Sequence, residues 1–199
     1  MRSNWIKTAA IAGLGSLLAC AAGCATAHVD HPVVSQLGGG DQDTQIEFWH
    51  TLATKSVACN DDAFHALLLD VDGADSNADY DARVKDLKTR QWIPSGFNRP
   101  ADESVTRGVF AVAMCKIAGI KGGLVLHVIG PNERYCLREL QFEDLLPPSS
   151  PNQTFSGTEL VGVIGRLEDY MHGNPANYPA AVMPPPAAPP SNSTIRNAQ

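Results

Sequence analysis

The densest set of potential ligand oxygens is the acidic stretch DVDGADSNADYD, from Asp70 to Asp81. A helix–loop–helix calcium site needs oxygens at positions one, three and five, glycine at six and a bidentate glutamate at twelve. Counted from Asp70, position five is Ala74, six is Asp75 and twelve is Asp81; counted from Asp75, six is Tyr80 and twelve is Asp86. Neither frame fits. The stretch reads as an Asx-rich turn that caps the helix after it, with loose calcium binding as the open alternative. For nucleophilic chemistry the sequence offers Cys59, Cys115 and Cys136, with His50 and His65 as bases, and Asp70, Asp72 and Glu159 as carboxylates. None stands at a motif spacing. His28 and His31 lie in a polar stretch without cysteine or carboxylate at metal-ligand spacing, and read as linker residues. No catalytic residue, metal site or cofactor is expected, and the chain reads as non-catalytic.

The elements that would position these residues begin after a leader. Arg2 and Lys7 precede an apolar run from Thr8 to Ala19, shorter than the roughly 20 residues of a membrane span. Losing the leader with Arg2 and Lys7 would make the net charge, −6 for the whole sequence, two units more negative. That acidity argues against nucleic acid and against a basic membrane-surface patch. Residues 20–42, ending in Gly38-Gly39-Gly40, read as a flexible tether. From Pro175 onward lie seven of the 14 prolines, so residues 174–199 read as an extended, disordered tail.

Between them, residues 43–173 carry helical periodicity. The fold class is mainly α: a bundle of about six helices with at most one short strand pair. Thr44–Cys59 places Ile46, Trp49, Ala53 and Val57 on one face, and Asn60-Asp61-Asp62 opens a second helix. Asp79–Gln91 turns Tyr80, Val84 and Leu87 inward. A connection containing Trp92, Ile93 and Phe97 packs its own side chains before the next helix. That helix follows Thr106 with Val109, Phe110, Ala113, Met114 and Ile117 as its stripe, and Thr106 caps it. A short strand is expected at Leu124–Val128, a helix from Pro131-Asn132, and a last helix from Ser156 to about Met171. Ser156 and Glu159 form a capping box there, with Phe155 stapling back to Leu160. An exported chain permits one disulfide among Cys59, Cys115 and Cys136; buried free thiols are the equal alternative.

Two resemblances add to this reading. Leu17-Leu18-Ala19-Cys20 resembles the lipobox of bacterial lipoproteins. The resemblance implies a signal peptide over 1–19, lipid on Cys20, and an outer-membrane lipoprotein facing the periplasm. Cys24, after Ala21-Ala22-Gly23, is the second candidate, and an ordinary secretory leader cut near Ala25 or Ala27 is the plain one. The second resemblance rests on Gly96-Phe97-Asn98-Arg99-Pro100 followed by Thr106-Arg107-Gly108-Val109. It is similar to the surface-layer homology (SLH) module, whose phenylalanine- and proline-bearing loop leads to a Thr-Arg-Ala-Glu motif opening a helix. A fainter copy lies fifty residues on, with Glu159 retained and Gly157 at the arginine position. SLH modules are non-catalytic helical units that bind cell-wall polymer. The resemblance therefore implies an SLH-like domain over 43–173, with Arg107, Thr106, Phe97 and Asn98 as ligand-binding residues. Arg107 would supply a fork of donors to an anionic group. The expected partners are the membrane, through the anchor, and a cell-wall polymer or envelope protein. A scaffolding subunit of an outer-membrane complex, without wall binding, is the alternative.

Overall fold

Most of the long helices begin where local polar groups can meet the free amides of the first turn. The computed structural model describes residues 26–121 and 130–173. In chain order its helices are α1 (Val34–Leu37), α2 (Gln42–Thr54), α3 (Asn60–Asp72), α4 (Tyr80–Thr89), α5 (Arg107–Ile117), α6 (Glu133–Phe142) and α7 (Gly157–Gly173). Asp41 accepts from the Thr44 amide at 3.0 Å, Asp79 from Ala82 at 2.8 Å and Asn132 from Tyr135 at 3.1 Å. At α7 the capping box is complete: Glu159 accepts from the Ser156 amide at 2.9 Å and Ser156 Oγ from the Glu159 amide at 3.2 Å. The N-cap of α3 is Cys59, without a side-chain cap, so Asn60 is the first helical residue instead of the cap. α3 ends at Gly73, whose φ of 74° suits a residue without Cβ.

The described residues form a mainly α-helical bundle of these seven helices, with three isolated bridges and no named strand. None of these helices is long and apolar enough to cross a membrane. α3 is its central rod, with every residue from Asn60 to Leu69 buried. α7 packs on α2 and α3, and α5 packs on α6. Phe48, Leu52, Leu67, Phe110, Met114, Leu137, Phe155, Leu160 and Leu167 fill the principal core. A smaller cluster joins Phe64 and Leu68 of α3 to Leu87, Ile93, Phe97 and Val109. The connection after α4 thus does pack its own side chains.

The structure corrects the inward face of α2. Ile46 is an exposed large apolar side chain, while Phe48 and Leu52 are buried and Trp49 is half-buried. The helix also stops at Thr54, five residues before the expected end. α7 sets both. The Gly157 amide donates to Lys55 O at 2.8 Å, and a Cβ on Gly157 would lie 1.7 Å from Leu52 O. The α7 start is seated directly on the α2 end, which leaves no room for another turn.

Of the stretch read as tether, the part from Thr26 lies against the domain. Val29 donates to Asp102 O at 2.8 Å, Val33 is buried, and the Val34 amide donates to Asp62 Oδ1 at 2.9 Å. Cys20, Cys24, the strand expected at Leu124–Val128 and the proline-rich tail lie outside the described residues.

Candidate functional site

The chain organises itself around the segment that leads into α5. Ser104 donates to Ala27 O at 2.9 Å, Val105 to Ala58 O at 3.0 Å, Arg107 to Gln153 O at 2.7 Å and Gly108 to Pro151 O at 2.9 Å. Three backbone segments from distant parts of the sequence therefore converge on residues 104–108. Bridges pair Glu103 with His28, Ser104 with Cys59, and Thr106 with Thr154. Backbone groups inside a fold must find partners, and these amides find theirs in other parts of the chain.

Across the Thr106–Thr154 bridge, neighbouring residues line different clefts. Arg107 and Phe155 line a groove of about 470 Å³, together with Gln141, Leu146, Glu159 and Arg166. Thr106 and Thr154 line a polar cleft of about 410 Å³, with Ser104, Asn152 and Arg99. Ser104 is fully buried, and its Oγ has no partner among the described residues.

Arg107 is only 7% exposed. Its guanidinium lies 5.0 Å from the centre of the Phe155 ring, Nε donates to Thr154 O at 3.2 Å, and Nη2 donates to Glu159 Oε1 at 2.7 Å. The Ser156 amide, opposed by burial and aided by Arg107, holds the Glu159 carboxyl below its ordinary range. The arginine kept at the start of α5 and the glutamate kept at the start of α7 are thus partners of each other.

The positions where each copy departs from the resembled motif are set by packing. Val109 is 1% exposed in the smaller core cluster, where a carboxylate would be desolvated. A Cβ on Gly108 would lie 2.7 Å from Glu133 Oε2 and 3.1 Å from Pro151 Cβ. Gly157 abuts the α2 carbonyls, so no side chain fits.

Of the four expected ligand residues, Arg107 and Thr106 line different clefts. Thr106 accepts from the Val109 amide at 3.4 Å, as a cap, and lines the polar cleft. Phe97 is buried edge-on against Phe64 at 5.4 Å, and Asn98 is exposed; neither lines either cleft. Sequence reasoning missed Arg166, whose Nε donates to Leu145 O at 3.0 Å at the groove wall. It also missed Phe142, which is 81% exposed beside groove-lining Gln141.

The acidic stretch supplies structure. Asp79 caps α4, and Asp75 enters a buried ionic network. His65 Nδ1 donates to Asp75 Oδ2 at 2.7 Å, Arg83 Nε donates to the same oxygen at 2.5 Å, and Arg83 Nη1 pairs with Asp61. Burial alone would push Asp75 up. The hydrogen bonds from His65, the Asn77 amide and Arg83 overcome it and hold the carboxyl well below the usual carboxylate range. Asp61 moves the other way, because burial outweighs its attraction to Arg83. No group of three or more His, Cys, Asp or Glu that could hold a metal occurs among the described residues. Cys59 is fully buried, and burial with the neighbouring Asp62 charge pushes its thiol far up, away from the thiolate a nucleophile needs. His50, the other expected base, is exposed on α2, while all three described thiols are buried. No protein-family model, curated protein or solved structure matches the chain.

Proposed function

We propose that this is a non-catalytic, lipid-anchored envelope protein whose SLH-like helical domain binds cell-wall polymer. The observation that carries the reading is the groove beside Phe155, with Arg107 and Arg166 in its wall and an exposed phenylalanine next to Gln141 in sequence. Guanidinium groups offer paired donors to carboxylates on a polymer, and an aromatic face suits the C–H surface of a sugar ring. Glu159 already occupies one donor of Arg107, so Arg166 and Phe142 carry more of the recognition than the resemblance implies. The lipobox-like Cys20 attaches the chain to the outer membrane on its periplasmic side, and residues 20–25 join it to the docked segment.

Purified cell wall incubated with the full chain tests this. Wild type is expected to co-sediment with the wall, and Phe142→Ala, whose side chain is outside the core, is expected to lower retention about tenfold, equivalent to roughly 1.4 kcal/mol. Arg166→Ala should do likewise. Absence of wild-type retention would eliminate wall binding, and unchanged retention of both variants would move binding away from this groove. The scaffolding alternative draws on the same exposed Phe142. It predicts co-purification with an envelope protein that survives enzymatic digestion of the wall.

A further inference from the structure

Three thiols lie among the described residues, and two of them meet. Cys115 stands near the end of α5 and Cys136 in the first turns of α6, the helix that packs on it. Both are buried, at 2% and 0% exposure. Cys115 Sγ donates to the Cys136 carbonyl oxygen at 3.6 Å. Cys59 is elsewhere, at the start of α3 and bridged to Ser104. The spatial arrangement therefore selects one pair from an odd set.

We infer that Cys115 and Cys136 form an intramolecular disulfide when the chain folds in an oxidising compartment, cross-linking α5 to α6. The inference rests on export, not on polymer binding. Two buried thiols can serve simply as small apolar side chains, but two cysteines packed against each other in an exported chain are ordinarily oxidised. The link would close a loop of about twenty residues, removing conformations from the unfolded chain more than from the folded one.

The chemistry balances with a disulfide oxidant, R–S–S–R, such as glutathione disulfide or a thiol–disulfide oxidoreductase. The Cys136 thiolate attacks one oxidant sulfur, forming a mixed disulfide and releasing R–S⁻. The Cys115 thiolate then attacks Cys136 Sγ, forming the protein disulfide and releasing the second R–S⁻. The protein loses two electrons and two protons; the protons end on the two R–SH products. The roles of the two sulfurs are interchangeable, since a thiolate must be accessible to attack the oxidant. Because both sulfurs are buried, exchange belongs to the stage before α5 closes on α6.

The full chain, reduced in denaturant and refolded with glutathione disulfide, tests this. Denaturing alkylation and peptide mapping are expected to show a Cys115–Cys136 cross-linked peptide with loss of two hydrogens, while Cys59 alkylates. The oxidised protein should unfold at a higher urea midpoint than the reduced one, and Cys115→Ala should abolish that difference. Alkylation of both Cys115 and Cys136 after refolding would overturn the inference, as would preferential pairing of either with another cysteine. The wild-type peptide map decides this even if the variant does not fold.

Discussion

Arg83 and Arg107 are the same residue type, nearly equally withdrawn from water at 4% and 7% exposure, yet they hold different kinds of structure together. Arg83 meets Asp75 and Asp61, whose side chains are 0% and 13% exposed, and His65 closes the network at 3%. Arg107 meets Glu159, which is 48% exposed at a groove wall. The difference lies in the partner. Deleting Arg83 strands carboxylates inside protein, whereas deleting Arg107 leaves a carboxylate that water can solvate.

The largest expected effect is therefore Arg83→Met, which should cost about 3–5 kcal/mol in urea unfolding because Asp75 and Asp61 lose their cation. A cost no greater than that of Arg107→Ala would break the comparison. Gly157→Ala comes next, at about 2–3 kcal/mol, because the added Cβ meets the Leu52 carbonyl and α7 must shift off α2. Arg107→Ala should cost about 1–2 kcal/mol, through lost packing on Phe155 and the bond to Thr154 O. A double-mutant cycle with Glu159→Gln should assign less than about 1 kcal/mol to the pair itself. A larger coupling would place Glu159 with the buried acids.

The smallest effect is a stabilisation, and its pH dependence sharpens the contrast. Asp70, on α3, is pushed up to about 6 by burial, with Glu168 adding repulsion and His172 opposing it. Its folded value lies above the unfolded 3.8, so its stability contribution is full below that value and is lost as pH rises through about 6. Asp70→Asn should stabilise by about 1 kcal/mol at pH 7, after allowance for its partial exposure, and by nothing near pH 4. Asp75 has the opposite sign. Its folded carboxyl is held below 3.8, so its contribution is present above that pH and is lost as acid protonates it. Unfolding midpoints across pH 3 to 8 would separate the two; equal behaviour of Asp70→Asn and wild type at pH 7 would remove the role of Asp70.

How much of this was legible depended on the range of each interaction. The Ser156–Glu159 capping box and the cap at Asp79 could be read directly, because their partners lie three residues away, and Ile93 and Phe97 could be read as buried anchors from their apolarity alone. The α2 face could not. Ile46 and Phe48 are both apolar, and which one turns inward depends on where α7 and the other packed elements lie. Candidate-site residues fared similarly. Arg107 carried a motif signal, but Arg166 has none, since a lone arginine on a helix gains meaning only from the Leu145 carbonyl opposite it.

The order of short polar caps and apolar stripes determined a mainly helical chain and two related helix starts fifty residues apart, because capping and periodicity are local. Only the tertiary structure decided that Arg107 of one start meets Glu159 of the other, that Asp75 joins Arg83 and His65, and that Cys115 lies beside Cys136. The physical reason is desolvation. A buried charge or thiol takes the partner that packing brings to it, and packing is set by contacts among segments far apart in the chain.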